Sequence, residues 1–189
     1  RGLNQLLSKY EGQELHLVDV GCGGGDNLIY MAKLARKKGW RIDFTGIDLS
    51  GPAVKLAREA TAGYPEIYIL QTSVFSDEFK EIRADIYTLN LVLHHFDNQD
   101  IITLINNMSE RADILVSDLQ RNRVAYFLFI LFSRLFGFSY ISRHDGLLSV
   151  KKSFSRHDWN SLLANSGINA ASVTWSWAFR YLVLIQSRL

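Results

Sequence analysis

The sequence holds a single cysteine, Cys22, so it can build neither an intrachain disulfide nor a multi-cysteine metal site. That scarcity predicts a reducing, cytoplasmic setting. Long apolar runs are also missing. The most hydrophobic stretch, residues 124–132, lies between Arg123 and Arg134 and is far short of the roughly 20 residues a membrane-spanning helix needs. Charge of one sign is not in excess: 21 Lys and Arg stand against 19 Asp and Glu, a formal net charge of +2, which argues against a nucleic-acid binder built on a basic stripe. No internal repeat, low-complexity tract or flexible linker divides the chain. With 48% hydrophobic and 21% charged residues, residues 1–189 read as one globular domain. The first residue is Arg1 rather than Met and the sequence is helix-like from the start, which predicts further residues upstream; no signal-peptide pattern is visible.

What is present is an alternation of strands and helices. Residues 15–20 form a short apolar run ending in glycines, and Leu28, Met31, Ala32 and Ala35 then recur at helical spacing. Asp26 is expected to cap this helix at its start and Gly39 to stop it. A second unit follows, with a strand over 42–47, Ser50 as N-cap, Pro52 in the first turn and a helix to about residue 62. Strands are expected over 67–71, 85–93 and 113–117, with a helix over 101–108; the fourth strand is apolar enough to be buried on both faces. The alternation predicts a doubly wound α/β sheet. It breaks after Asp118, where a hydrophobic insertion, residues 119–152, precedes a helix over 155–165 that opens with Ser155 and Asp158. Two strand-like runs, 170–177 and 179–186, lie too close for a crossover helix, so a seven-stranded sheet should end in an antiparallel hairpin.

Asp19-Val20-Gly21-Cys22-Gly23-Gly24-Gly25 places glycines between the first strand and a helix, where backbone can approach a ligand closely and free N–H groups point outward. The turn alone equally fits a tight connection with no ligand. Asp48 ends the second strand, where a carboxylate can accept hydrogen bonds from both hydroxyls of a ribose. Through this turn, Gly46-Ile47-Asp48-Leu49-Ser50, Asp85 and Asn90-Leu91-Val92-Leu93-His94-His95-Phe96, the chain resembles the class I methyltransferases dependent on S-adenosylmethionine (SAM), in particular the small-molecule type found in quinone biosynthesis. The resemblance covers nearly the whole chain and implies a Rossmann-like fold, SAM as cofactor and S-adenosylhomocysteine (SAH) as product.

The resemblance further implies that Gly21, Gly23 and Gly25 approach SAM, that Asp19 holds its ammonium end directly or through water, that Asp48 takes the ribose and Leu49 flanks the adenine, and that the Asn90 backbone faces the methionine side. One departure stands out. Where the family often has an acid for the adenine amino group, this chain has Gln71-Thr72-Ser73-Val74-Phe75, leaving Ser73 or the Val74 backbone for that task, without the charge assistance of a carboxylate.

Methyl transfer needs a nucleophile held in line with its proton removable. His94 and His95 follow the fourth strand, and because successive strand residues point to opposite faces, at most one should line a pocket; the other reading is that both merely cap the strand. His144, beside Asp145 in Arg143-His144-Asp145-Gly146, is the first candidate for a base, with an exposed turn histidine as the alternative. Asp118 and Arg121 leave the fifth strand toward the same edge, as substrate contacts or as a cap and a solvated charge.

Residues 124–132 with Leu135, Phe136, Phe138 and Tyr140 are apolar all round, so the insertion should cover something. It reads as a lid receiving an apolar or aromatic small molecule, with Tyr126, Phe129, Arg121, Arg143 and His94 as candidate contacts; packing on the sheet, a homodimer or a membrane surface are the alternatives. No Asn or Asp followed by Pro-Pro and an aromatic occurs, which argues against methylation of planar amino groups, and too few carboxylates cluster to hold a metal. The expected activity is methylation of a hydrophobic small molecule on oxygen. A catalytically silent SAM-binding or partner-binding protein and a nicotinamide-dependent oxidoreductase are the competing classes.

Overall fold

The computed structural model describes residues 2–10, 12–137 and 140–188, so Phe138 lies outside the described residues, as does the Tyr140 side chain. Helix α1 (Gly2–Leu7) and a 3-10 turn (Ser8–Tyr10) lead into β1 (Glu14–Val20), α2 (Asp26–Lys38), β2 (Arg41–Asp48), α3 (Gly51–Thr61), β3 (Ile67–Gln71), α4 (Asp77–Glu81) and β4 (Ile86–Asn90). A 3-10 turn (Leu93–His95), α5 (Asn98–Ser109) and β5 (Asp113–Leu119) follow, then α6 (Arg123–Leu135), α7 (Tyr140–Lys152), α8 (Arg156–Asn165), β6 (Ala171–Ser176) and β7 (Arg180–Ile185). The seven strands lie in the order β3-β2-β1-β4-β5-β7-β6. The first five are parallel, while β7 runs antiparallel to β5 and to β6. The expected seven-stranded α/β sheet with a terminal hairpin is thus what the chain forms.

Burial follows from the strand pattern. On one side of the sheet Ile101 and Leu104 of α5 and Trp159 of α8 pack with Val18 and Leu89; on the other, Leu28 and Met31 of α2 and Val54 of α3 pack with Leu17 and Phe44. Each such fully buried side chain contributes about 1.5–3 kcal/mol through apolar burial. Residues Ile86–Leu89 are all buried, as a parallel strand covered on both faces requires.

Several local expectations change. Gly25, not Asp26, caps α2: its φ of 83° turns the chain left-handed, and Asp26 becomes the first helical residue, still favourable at the positive end of the helix. The fourth strand stops at Asn90 because Leu91 takes a φ of 57°, which breaks the extended backbone before the 3-10 turn. Residues 143–146 are helical within α7 rather than a turn.

The insertion is a helical hairpin. Asn122 starts α6 by accepting from the amides of Val124 and Ala125, and Gly137, with a φ of 65°, follows its end. Its inner row packs on α7, with the Phe129 ring against Gly146. Its outer row is exposed, because α7 covers only one face of a helix whose sequence is apolar on both. Among the described residues no helix is long and apolar enough to cross a membrane.

Candidate active site

Parallel pairing aligns Asp19 of β1 with Gly46 of β2 and Thr88 of β4, so the ends of these strands meet at one edge of the sheet. The amides of Gly21 and Cys22 both donate to the Ile47 carbonyl, at 2.7 and 3.0 Å, which pins the glycine turn to the end of β2. Gly21 has a φ of 70°, and a Cβ placed there would stand 2.5 Å from Val92 Cγ2. Both the conformation and the space demand glycine.

Asp48 sits where the turn and the second strand converge. One of its carboxylate oxygens accepts from the Gly23 amide and the other from the Ser50 amide, each at 2.9 Å. Every carboxylate oxygen has a second lone pair, so Asp48 retains acceptor capacity toward the cavity it lines. Asp19 is nearly fully buried beneath the turn, where Thr88 Oγ1 donates to it at 2.5 Å and Asn27 Nδ2 at 3.2 Å. Burial pushes its carboxyl up to about 6, against the opposing pull of those two hydrogen bonds. No cation pairs with it among the described residues.

A cavity of about 600 Å³ opens beside the turn. Gly21, Asp48 and Leu49 form one wall, Ser73, Val74 and Phe75 a second, and Val92, His95 and Phe96 a third. Phe75 and Phe96 meet edge to face with centroids 5.8 Å apart, closing one side with aromatic surface. Beneath the third wall His94 is buried, its Nδ1 donating to Asp118 Oδ1 at 2.7 Å, while Asp118 Oδ2 accepts from the Leu93 amide at 2.9 Å. The fully buried Asp118 carboxylate thereby holds the 3-10 turn that carries His95. Burial, then the neighbouring His94 and more weakly Lys152, hold the His95 imidazole below the ordinary histidine value, with Asp118 opposing.

Of the residues singled out from the sequence, Gly21, Asp48, Leu49, Ser73, Val74 and His95 share this cavity. Gly23 is bound to Asp48, and Asn90 ends β4 directly before the lining residues Leu91 and Val92. Gly25 faces α3 instead, where a Cβ would stand 3.5 Å from Ala57. His94 is turned away into its pair with Asp118. Arg121 forms an ion pair with Asp158 at 2.6 Å and, with Tyr126, lines a cleft of about 390 Å³ in the insertion. His144 and Arg143 line another of about 380 Å³, while Phe129 is packed between the two helices. None of the residues lining the large cavity comes from the insertion.

Thr88, Asn27, Thr72, Phe75 and Phe96 complete the site without having been singled out for it. Thr88 was within reach, since parallel pairing of the first and fourth strands sets it beside Asp19. Phe75 was not, because it lies in a loop with no periodic signal.

These residues fit SAM. The side-chain-free turn leaves room for its methionine part, the buried Asp19 carboxylate lacks a cation that an ammonium would supply, and Asp48 faces the cavity as a hydroxyl acceptor. The methyltransferase domain family model matches residues 17–112. No curated protein gives a significant match to the chain. Among solved structures the fold is similar to the citrinin polyketide synthase CMeT domain, with a TM-score of 0.70 and 16% identity over 99% of this chain and 51% of that one. It is similar to a SAM dependent methyltransferase from Aquifex aeolicus, with a TM-score of 0.66 and 15% identity over 96% of this chain and 87% of that one. It also matches the plantazolicin methyltransferase BpumL in complex with SAH, with a TM-score of 0.67 and 18% identity over 99% of this chain and 80% of that one. The present chain spans about half the length of the polyketide synthase domain. The chain belongs to the methyltransferase domain family and has the fold of the class I SAM-dependent methyltransferases.

Proposed function

We propose that this chain transfers a methyl group from SAM to a hydrophobic or aromatic small molecule, with a hydroxyl oxygen as the acceptor. The observation that carries the reading is one cavity bounded both by the Gly21–Asp48 wall and by His95, so that a donor site and a titratable side chain share a space. Bound there, SAM supplies an electrophilic methyl group on a positively charged sulfur.

The chain's own residues do the rest. Asp19 offers a buried negative charge under the turn, and Asp48 accepts from hydroxyls at its rim. Phe75, Phe96 and Val92 offer an apolar wall that excludes water from the acceptor's side and favours an apolar substrate. His95, its imidazole held below the ordinary histidine value by partial desolvation, takes the proton of the acceptor hydroxyl on a ring nitrogen as the oxygen attacks. Asp118, acting through His94 and the Leu93 amide, keeps that ring in place. His95 is preferred to His144 as the base because His144 opens on a separate cleft.

The test has two arms. SAH should raise Tm while NADH does not, and extract supplemented with labelled SAM should yield a labelled apolar product. Stabilisation by NADH in place of SAH would replace this reading with an oxidoreductase. SAH binding without any labelled product would leave a silent binding protein.

A further inference from the structure

The outer row of α6 carries Val124, Phe127, Leu128, Leu131, Phe132 and Leu135, spaced i, i+3, i+4, i+7, i+8 and i+11. These six side chains are between 37% and 73% exposed. A helix on the surface of a water-soluble protein turns its polar side outward; this one turns an uninterrupted apolar stripe to solvent over three turns. Phe136 extends it, stacking on Phe132 with centroids 6.2 Å apart.

The charge around the stripe is predominantly positive. Residues 120–152 contain six Lys and Arg and one acid, Asp145, although the whole chain carries only +2. The insertion therefore carries a formal charge of +5 and the rest of the chain −3. Arg123 at the start of α6, Arg134 near its end and Lys151 at the end of α7 are all exposed, and Lys151 Nζ stands 5.4 Å over the Tyr126 ring. The two clefts flanking α6 join apolar surface to cationic side chains, and Nε of Arg143, buried beside one of them, has no hydrogen-bond partner among the described residues.

A third observation lies at the root of the insertion. Gln120 donates its amide to the Phe179 carbonyl at 2.8 Å and accepts from Trp175 Nε1 at 3.0 Å, tying the β6–β7 turn to the base of α6. Trp175 near the end of β6 and Trp177 in that turn are 50% and 81% exposed. Tryptophan is the side chain best suited to a boundary between headgroups and hydrocarbon.

We propose that α6 is an interfacial anchor that lays its outer row on a bilayer carrying anionic headgroups, with the surrounding Arg and Lys side chains at headgroup level. Its 13 residues span about 20 Å and are too few to cross a bilayer, so the helix lies in the surface rather than through it. Charge complementarity selects this occupant: an apolar stripe flanked by cations matches hydrocarbon beneath phosphate. The inference concerns a surface outside the proposed SAM cavity and does not depend on the reaction assigned to it.

The test is flotation of the chain with phosphatidylcholine vesicles, with and without phosphatidylglycerol. The chain should rise with the phosphatidylglycerol vesicles and less so as salt is added, because the cationic contribution is screened. Leu131→Glu and Leu135→Glu should each lower vesicle partitioning by about tenfold or more, since each moves a carboxylate against hydrocarbon. Both positions are exposed, so Tm should be unchanged and will report that the variants fold. Failure of the wild-type chain to float, or flotation untouched by either substitution, would overturn the proposal. So would a dimer in sedimentation equilibrium that Leu131→Glu dissociates while the wild-type chain stays off the vesicles, because the stripe would then belong to a second copy.

Discussion

The Gly23 amide donates to the Asp48 carboxylate at 2.9 Å, joining the glycine turn to the end of β2 through a side chain rather than through the sheet. Asp48 therefore shapes the turn as well as facing the cavity. Asp48→Ala should weaken SAM by about 1.5–3 kcal/mol, the value of a hydrogen bond to a charged group, which is roughly tenfold to a hundredfold in Kd. Calorimetric titration reads this directly, and unchanged affinity would remove Asp48 from the donor site.

Asp19 links stability to function with a definite sign. Its carboxyl is raised from 3.8 to about 6, so the folded state favours the protonated form, and stability present below pH 4 is lost as pH rises toward 6. Asp19→Asn keeps an oxygen to accept from Thr88 and removes the buried charge. It should stabilise the ligand-free chain at pH 8 by about 1–3 kcal/mol, with no gain near pH 3, and should weaken SAM. In the wild-type chain SAM affinity should fall as pH drops through 6, as the counter-charge to its ammonium is neutralised. Melting curves at both pH values decide the first point; a variant less stable than wild type at pH 8 contradicts it.

For His95→Gln the expected result is a kcat lower by about a hundredfold or more with SAM affinity retained, the signature of a lost general base. Because partial desolvation lowers the His95 pKa, the acid limb of the wild-type kcat profile should have its midpoint below the ordinary histidine value. A kcat profile flat to lower pH in both proteins would mean that the acceptor needs no base.

Gly21→Ala should impair folding and SAM binding together, because the new methyl meets Val92 Cγ2 at 2.5 Å. Such overpacking costs about 1–3 kcal/mol. Adding Val92→Ala removes the 2.5 Å contact but leaves the Cβ of residue 92 at 3.0 Å and the positive φ, so the double variant should recover only part of the loss, as read by Tm.

The donor side of the site was legible because its chemistry is local. A glycine turn after one strand and an aspartate at the end of the next need only parallel pairing to meet, and the spacing of apolar residues predicts that pairing. The acceptor side was not. Whether His94 or His95 faces the cavity depends on the left-handed Leu91 and the 3-10 turn behind it, which the alternation of a strand does not describe. His144 looked like a base because Asp145 adjoins it, but in a helix adjacent residues diverge, and α7 directs His144 to another cleft. In α6 the helical period is plain, whereas which apolar face finds a partner is decided by where α7 lies.

The insertion leaves and re-enters the fold at nearly the same point. Gln120 bridges to Phe154, the Arg121 amide donates to the Phe154 carbonyl at 2.8 Å, and the Phe154 amide donates to Leu119 at 3.3 Å. With its two stems clasped, the hairpin between them is an excursion whose length and sequence can drift without displacing β5 or α8. A chain built this way separates two kinds of inheritance: the machinery at the strand ends can be kept while the appended hairpin is exchanged, so the surface the hairpin presents can change without redesigning a core.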